Sequence, residues 1–164
     1  RAEKGIARTF QNVRIFPSLT VEQNIEVAQY SGRGTPLTDA AIDEFGLRSK
    51  LNQPASSLAY GDQRRLEIVR ALVLAPRVLM LDEPAAGMNE QETEALGKSL
   101  EWVHREADCA LLVIDHDLKF IMTLCERVTV MNMGEILAKG SPSEIVKNKR
   151  VVEAYIGQEA GTAA

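Results

Sequence analysis

The run Val78-Leu79-Met80-Leu81 ends in two adjacent carboxylates, Asp82 and Glu83, and then Pro84. An unbroken apolar run does not alternate between a wet and a dry face. It reads as a strand, Arg77 to Leu81, buried on both faces of a parallel sheet. A second run of this kind, Ala110-Leu111-Leu112-Val113-Ile114, is followed by Asp115 and His116. Parallel neighbours need a crossover between them. The stretch from about Glu90 to Glu106 reads as the helix that makes it. The class is therefore α/β with a parallel core.

An acid at the carboxyl end of such a strand points into the crevice where open α/β sheets bind ligands. Asp82 there suits Mg²⁺, directly or through water. Glu83, one residue on, is placed to polarise an attacking water. The plain alternative is that Asp82-Glu83-Pro84 only ends a strand and starts a turn. His116 shifts the balance. The crossover rule puts its strand end beside or near that of Asp82, and a histidine there can touch a terminal phosphate. His104, inside the crossover helix, reads as structural.

Upstream, Leu66, Val69, Leu72 and Val73 recur at helical spacing, with Gly61 at the helix start and Pro76 after its end. An exposed glycine amide at a helix amino-terminus binds anions without side-chain help; the alternative role is a simple cap. Gln11 follows a short strand that begins near Gly5. It could reach a metal-bound water, but alone it carries almost no signal.

The remaining punctuation is local. Thr20 with Gln23 reads as a capping box before a helix, and Thr38 caps a second short helix that stops near Gly46. Ser31 to Pro36 is a connector. Met133-Gly134 separates two alternating stretches, Arg127 to Asn132 and Glu135 to Lys139, as a hairpin. Ser141-Pro142-Ser143-Glu144 starts a helix, and a last helix covers roughly Val151 to Ile156. Cys109 and Cys125 match no metal or redox spacing and read as reduced thiols of a cytoplasmic protein. A formal net charge of −4 does not favour bulk nucleic-acid binding. No apolar run approaches the length of a membrane span.

Together these residues resemble the second half of an ATP-binding-cassette (ABC) ATPase, a P-loop NTPase fold. Gln11 matches the Q-loop, and Leu58-Ala59-Tyr60-Gly61-Asp62-Gln63 the signature motif. Val78 to Asp82 with Glu83 matches Walker B and its catalytic glutamate. Ala86-Gly87-Met88-Asn89 sits where the D-loop belongs, and His116 matches the switch histidine. The likeness is closer to the ATP-binding subunits of branched-chain amino acid importers. It lies in "RTFQNVRIFPSLTVEQNI", "LAYGDQRRLEIVRAL", "LMLDEPAAGMN" and "VVEAYIGQ". Two departures from the general pattern stand out. The signature Ser-Gly-Gly is Ala59-Tyr60-Gly61, and the D-loop aspartate is Asn89.

The resemblance implies an organisation in four parts: 1–16 with a strand and the Q-loop, 17–76 a small helical subdomain carrying the signature, 77–158 the α/β core with a β-hairpin and helices, and 159–164 a tail. It implies ATP and Mg²⁺ as cofactors. Glu83 and His116 are then catalytic, Asp82 and Gln11 serve the metal, and Gln11, Ala59, Tyr60, Gly61, Asp62 and Asn89 serve nucleotide. Its implied partners are a second ATPase subunit and membrane permease subunits, docked through the region after the Q-loop at the inner face of the membrane.

A phosphate loop would read G-x-x-x-x-G-K-[ST]. Gly97-Lys98-Ser99 supplies only its last letters, has Glu92 in place of the first glycine, and lies within a predicted helix. The chain is therefore expected to be a family member lacking its amino-terminal Walker A portion, and inactive alone. Two other expectations remain: a natural half-cassette acting as a regulatory or structural module, and a metal-dependent hydrolase built on Asp82, Glu83 and His116.

Overall fold

The computed structural model describes residues 5–30 and 37–154. The chain divides into two compact units, 1–116 and 117–164. In the first, β1 (Ile6–Arg8), β2 (Val78–Asp82) and β3 (Ala110–Ile114) form a parallel sheet in the order β1-β2-β3. The helices are α1 (Val21–Tyr30), α2 (Thr38–Glu44), α3 (Tyr60–Leu72) and α4 (Glu90–Glu106), with short 3-10 turns at Arg48–Lys50 and Ala55–Ser57. The α/β class and the expected bounds of β3 and α4 hold.

The sheet is dry on one face only. Leu79 and Leu81 are fully buried and belong to a core with Phe45, Leu66, Leu96 and Leu100. The other face carries Ile6, Leu112 and Ile114, which are 39%, 49% and 57% exposed. The register accounts for this division: Ile6 pairs with Val78, Met80 with Leu112, and Asp82 with Ile114, so these residues share a face. The expectation of burial on both faces is thus corrected for β3. Among the described residues of this unit, only the Leu79 face is closed, and an apolar run does not report which side is covered.

Helix starts follow the sequence in part. Thr20 and Gln23 exchange their expected bonds, Thr20 N to Gln23 Oε1 at 2.9 Å and Gln23 N to Thr20 Oγ1 at 3.1 Å. Thr38, in contrast, is the first residue of α2 rather than its cap; Leu37 occupies the cap position without a side-chain bond. Gly46, at φ 68°, ends that segment in the left-handed region where a Cβ is costly. Lys98 pairs with Glu94 at 2.7 Å, and the Ser99 hydroxyl donates to the Glu44 carbonyl. Gly97-Lys98-Ser99 is therefore ordinary helix surface and packing, as expected.

In the second unit, α5 (Leu118–Leu124) precedes the antiparallel hairpin of β4 (Val128–Asn132) and β5 (Glu135–Gly140), and α6 (Pro142–Ile145) follows. Met133 and Gly134 both have positive φ, 48° and 83°, as a two-residue hairpin turn of matching twist requires. Ser141 and Glu144 form the expected capping box, and the Ser141 amide holds the Glu144 carboxyl below its ordinary pKa. Residues 149–154 are helical; the end of the expected last helix, the connector 31–36 and the tail lie outside the described residues. Cys109 and Cys125 are free, and burial raises both thiols.

The Asn89 side chain accepts from Glu92 N at 3.0 Å, and Glu92 Oε2 accepts from Asn89 N at 3.0 Å. This capping box closes the start of the 17-residue α4. Asn89→Ala is expected to lower stability by about 1 kcal/mol, while Asn89→Asp is nearly neutral. Urea denaturation of the two variants checks this.

Candidate functional site

Parallel pairing of β2 with β3 brings Asp82 opposite Ile114, and the Glu83 amide donates to the Ile114 carbonyl at 2.8 Å. The chain turns sharply there, because Glu83 has φ 46°. A glutamate in the left-handed region costs about 1 kcal/mol or more, which the surroundings must supply. The turn aims the carboxylate at two neighbours. Gln11 Nε2 donates to Glu83 Oε2 at 3.1 Å, and His116 Nδ1 lies 3.7 Å from Glu83 Oε1. Gln11, Glu83 and His116, from three strand ends, thus meet at one carboxylate. His116 is also 3.6 Å from the Asp115 carboxylate, whose side chain is buried.

Asp82 lies on the open sheet face and accepts from Arg8 Nη2 at 2.7 Å. Arg8 is two positions from Ile6 on the same face of β1, and its guanidinium also lies over the Phe10 ring. Nothing in the sequence singled out Arg8; its parity on a strand facing Asp82 was the available signal. Among the described residues, no three His, Cys, Asp or Glu side chains gather as they would around a metal ion. Mg²⁺ is commonly held by one or two carboxylates, with phosphate and water oxygens completing its shell. Asp82 fits that lesser demand.

The residues from Ala59 to Asp62 form the start of α3. Ala59 is its N-cap, in extended conformation, and Tyr60 is half-exposed. Gly61 is buried, which corrects the expectation of an exposed glycine amide. The side chain of Glu92 covers it: a Cβ at Gly61 would lie 3.3 Å from Glu92 Oε1 and 3.8 Å from Met88 Cε. The Tyr60 ring similarly limits Gly87, where a Cβ would lie 3.2 Å from Cε1. The start of α3 and the segment before α4 therefore pack together, and Asn89 anchors the latter. The Asp62 carboxylate pairs with the Lys50 ammonium and lies 3.5 Å from Arg65 Nη1. Lys50 is a second residue that sequence reasoning missed, since it comes from a separate 3-10 turn.

The largest omission is inside α3. Arg64 is fully buried and Glu67 nearly so, and they bond to each other at 2.9 Å. Arg64 also donates to the carbonyls of Phe10, Gln11 and Glu83, the last two at 2.8 and 3.4 Å. Charged residues on the apolar side of a helix were the clue, and a basic helix start concealed it.

Loop 13–20 is held equally firmly. Asn24 is buried; its Oδ1 accepts from Phe16 N at 2.8 Å and its Nδ2 donates to Phe16 O and Thr20 O, each at 2.9 Å. Phe16 itself is 44% exposed, with the Arg70 guanidinium 4.9 Å from its ring centre.

A family profile for ABC transporters matches residues 1–86, and one for branched-chain amino acid ATP-binding cassette transporters matches residues 135–161. The chain is 40% identical to the high-affinity branched-chain amino acid transport ATP-binding protein LivG of Salmonella typhimurium, over 96% of this chain and 69% of that protein. It is 39% identical to the corresponding protein BraF of Pseudomonas aeruginosa, with the same coverage. Among solved structures, cbiO1 of Clostridium perfringens, part of the ABC transporter complex cbiONQ, superposes with a TM-score of 0.79 at 26% identity. That match covers 93% of this chain and 63% of cbiO1.

The strain at Glu83 is separable from its chemistry. Glu83→Gly and Glu83→Ala remove the same carboxylate, but only glycine tolerates φ 46° freely. The glycine variant is expected to be the more stable of the two by about 1 kcal/mol. Paired urea melts measure the difference, and the reverse order would show that the turn relaxes once the side chain is gone.

Proposed function

The chain belongs to the ABC transporter family, and we propose that it acts as part of an ATP-binding subunit that energises uptake of branched-chain amino acids. The observation that carries this reading is the 40% identity to LivG over 96% of the chain, with the branched-chain profile at residues 135–161. The convergence of Gln11, Glu83 and His116 supports a role in ATP hydrolysis.

In this reading the residues described here surround the terminal phosphate. Glu83 is the general base: its carboxylate accepts the proton of the attacking water. Gln11 and His116 bracket that carboxylate, Gln11 orienting the water and His116 facing the terminal phosphate. Asp82, with Gln11 alongside, would hold Mg²⁺, which would supply charge withdrawal from the phosphate oxygens. Ala59, Tyr60 and Asp62 present the start of α3, and Asn89 the start of α4, toward nucleotide held by a second ATPase subunit. Such a subunit works at the inner face of the membrane through permease subunits. Among the described residues no helix is long and apolar enough to cross a membrane itself.

The test of the base is Glu83→Gln in the complete ATP-binding protein assembled with its permease. ATP binding is expected to persist while turnover falls by about 100-fold or more. Unchanged turnover would reject the assignment.

The permease is assigned to the surface around Val13 to Thr20 and α1. Phe16 is an exposed aromatic group on a loop that Asn24 fixes in place, so it offers a preformed apolar contact. Phe16→Asp is expected to abolish co-purification with the permease while leaving the thermal unfolding midpoint within a few degrees. Retained co-purification would place the contact elsewhere.

A further inference from the structure

The residues at positions 64, 67 and 70 lie three apart on α3 and so share one face. Most of their backbone partners lie in loop 10–16. Arg64 donates to the carbonyls of Phe10 and Gln11. Glu67 Oε1 accepts from the amides of Phe10 and Arg14 at 3.3 and 3.2 Å. Arg70 donates to the Arg14 carbonyl, and to the Asn24 carbonyl at 3.1 Å. A further tie runs from Arg64 Nη2 to the Glu83 carbonyl at 3.4 Å. The loop backbone is therefore gripped by donors and acceptors in turn, in addition to the contact of the Arg14 guanidinium with the Phe10 ring at 3.9 Å.

We propose that Arg64, Glu67 and Arg70 are positioning residues that lock the Gln11 loop and the Glu83 turn to helix α3, so that a shift of the helix start moves the catalytic side chains with it. The inference rests on the proposed function for its catalytic consequence; the clamp itself rests on the contacts alone. The start of α3 carries Tyr60 and Asp62, residues assigned to nucleotide on the partner subunit. Its middle holds the backbone beneath Gln11 and Glu83. Its last turn holds Arg14 and Asn24, on either side of Phe16, the residue assigned to the permease. One helix face thus joins three sites that the sequence keeps apart. A guanidinium is needed at position 64, because only a planar fork can serve separate carbonyls and a carboxylate at once. A lone ammonium at 64 cannot reach them all.

The experiment has two arms. Amide hydrogen exchange is read at Phe10 and Arg14 in the chain, and ATPase kcat and KM are read in the complete protein with its permease. Arg64→Met with Glu67→Leu removes both charges together, so neither is left buried alone. This double variant is expected to exchange Phe10 and Arg14 at least tenfold faster, and to lose at least tenfold in kcat with KM for ATP within threefold. Arg64→Lys, which keeps the charge and the fold, is expected to show the same changes in weaker form. Glu67→Gln keeps the oxygen that accepts both amides, so it is expected to retain loop protection and most of the turnover.

Folded variants with wild-type exchange and wild-type kcat would overturn the proposal. Faster exchange with unchanged kcat would overturn it too, since the loop would then be held without consequence for catalysis. A double variant that fails to fold leaves Arg64→Lys to decide. If the wild-type assembly hydrolyses no ATP, the proposed function fails, and the exchange arm still accepts or rejects the clamp.

Discussion

The pairing of Asp82 with Ile114 across β2 and β3 brings Glu83 and His116 together. Parallel strands joined by a helical crossover have their carboxyl ends at the same edge of the sheet. Once the pair is fixed, the next residue on β2 is Glu83 and its amide closes on the Ile114 carbonyl. Two residues past Ile114 stands His116, within 3.7 Å of the Glu83 carboxylate. A slip of one residue would exchange the faces of β3 and carry Leu112 and Ile114 into the closed side. The meeting of Glu83 with His116 and the burial pattern are consequences of one register.

Much of this was legible because apolar runs and their polar ends are local features. The strand bounds, the crossover helix, the hairpin turn at Met133-Gly134 and the capping boxes at Thr20 and Ser141 all follow from residues a few positions apart. The closeness of His116 to Glu83 needed only the rule that crossovers place consecutive strands side by side, whereas Gln11 carried almost no signal of its own and entered through the resemblance. What escaped is non-local or depends on what covers a surface. An apolar strand looks the same whether one face or both are closed, so the exposure of Leu112 and Ile114 was invisible. Gly61 looked like an open anion site until Glu92, 31 positions later, was seen lying over it. Thr38 carries the chemistry of a cap, but the turn begins one residue earlier.

The buried pair of Arg64 and Glu67 shows why propensity misleads inside α3. A buried ion pair rarely stabilises a fold more than well-packed apolar groups of the same size would. Its retention at full burial makes sense where the charges have other work. Here each makes further hydrogen bonds to backbone groups of a loop that has no regular ladder of its own. Those backbone groups would otherwise be left to water or unpaired, at about 1–3 kcal/mol for each buried one. The helix therefore supplies the secondary structure that the loop lacks, and the loop in turn holds Gln11 against Glu83.

Arg8 and Asp82 present the opposite case. Their bond is short, 2.7 Å, but Arg8 is 43% exposed and Asp82 26% exposed along the side chain. A pair so open to solvent contributes about 1 kcal/mol or less. In the proposed function, a divalent cation competes for the Asp82 carboxylate, and the electrostatic attraction of a doubly charged ion for it exceeds that of a screened guanidinium. The pair is thus weak where exchange of partners is needed, whereas Arg64 is fully buried where the backbone has to stay in place. Arg8 also lies over the ring of Phe10, the neighbour of Gln11, 5.3 Å from its centre, so its guanidinium has a second contact beside the site besides Asp82. The difference in burial between these two arginines divides the site into a part that can open to a ligand and a part that holds the geometry for it.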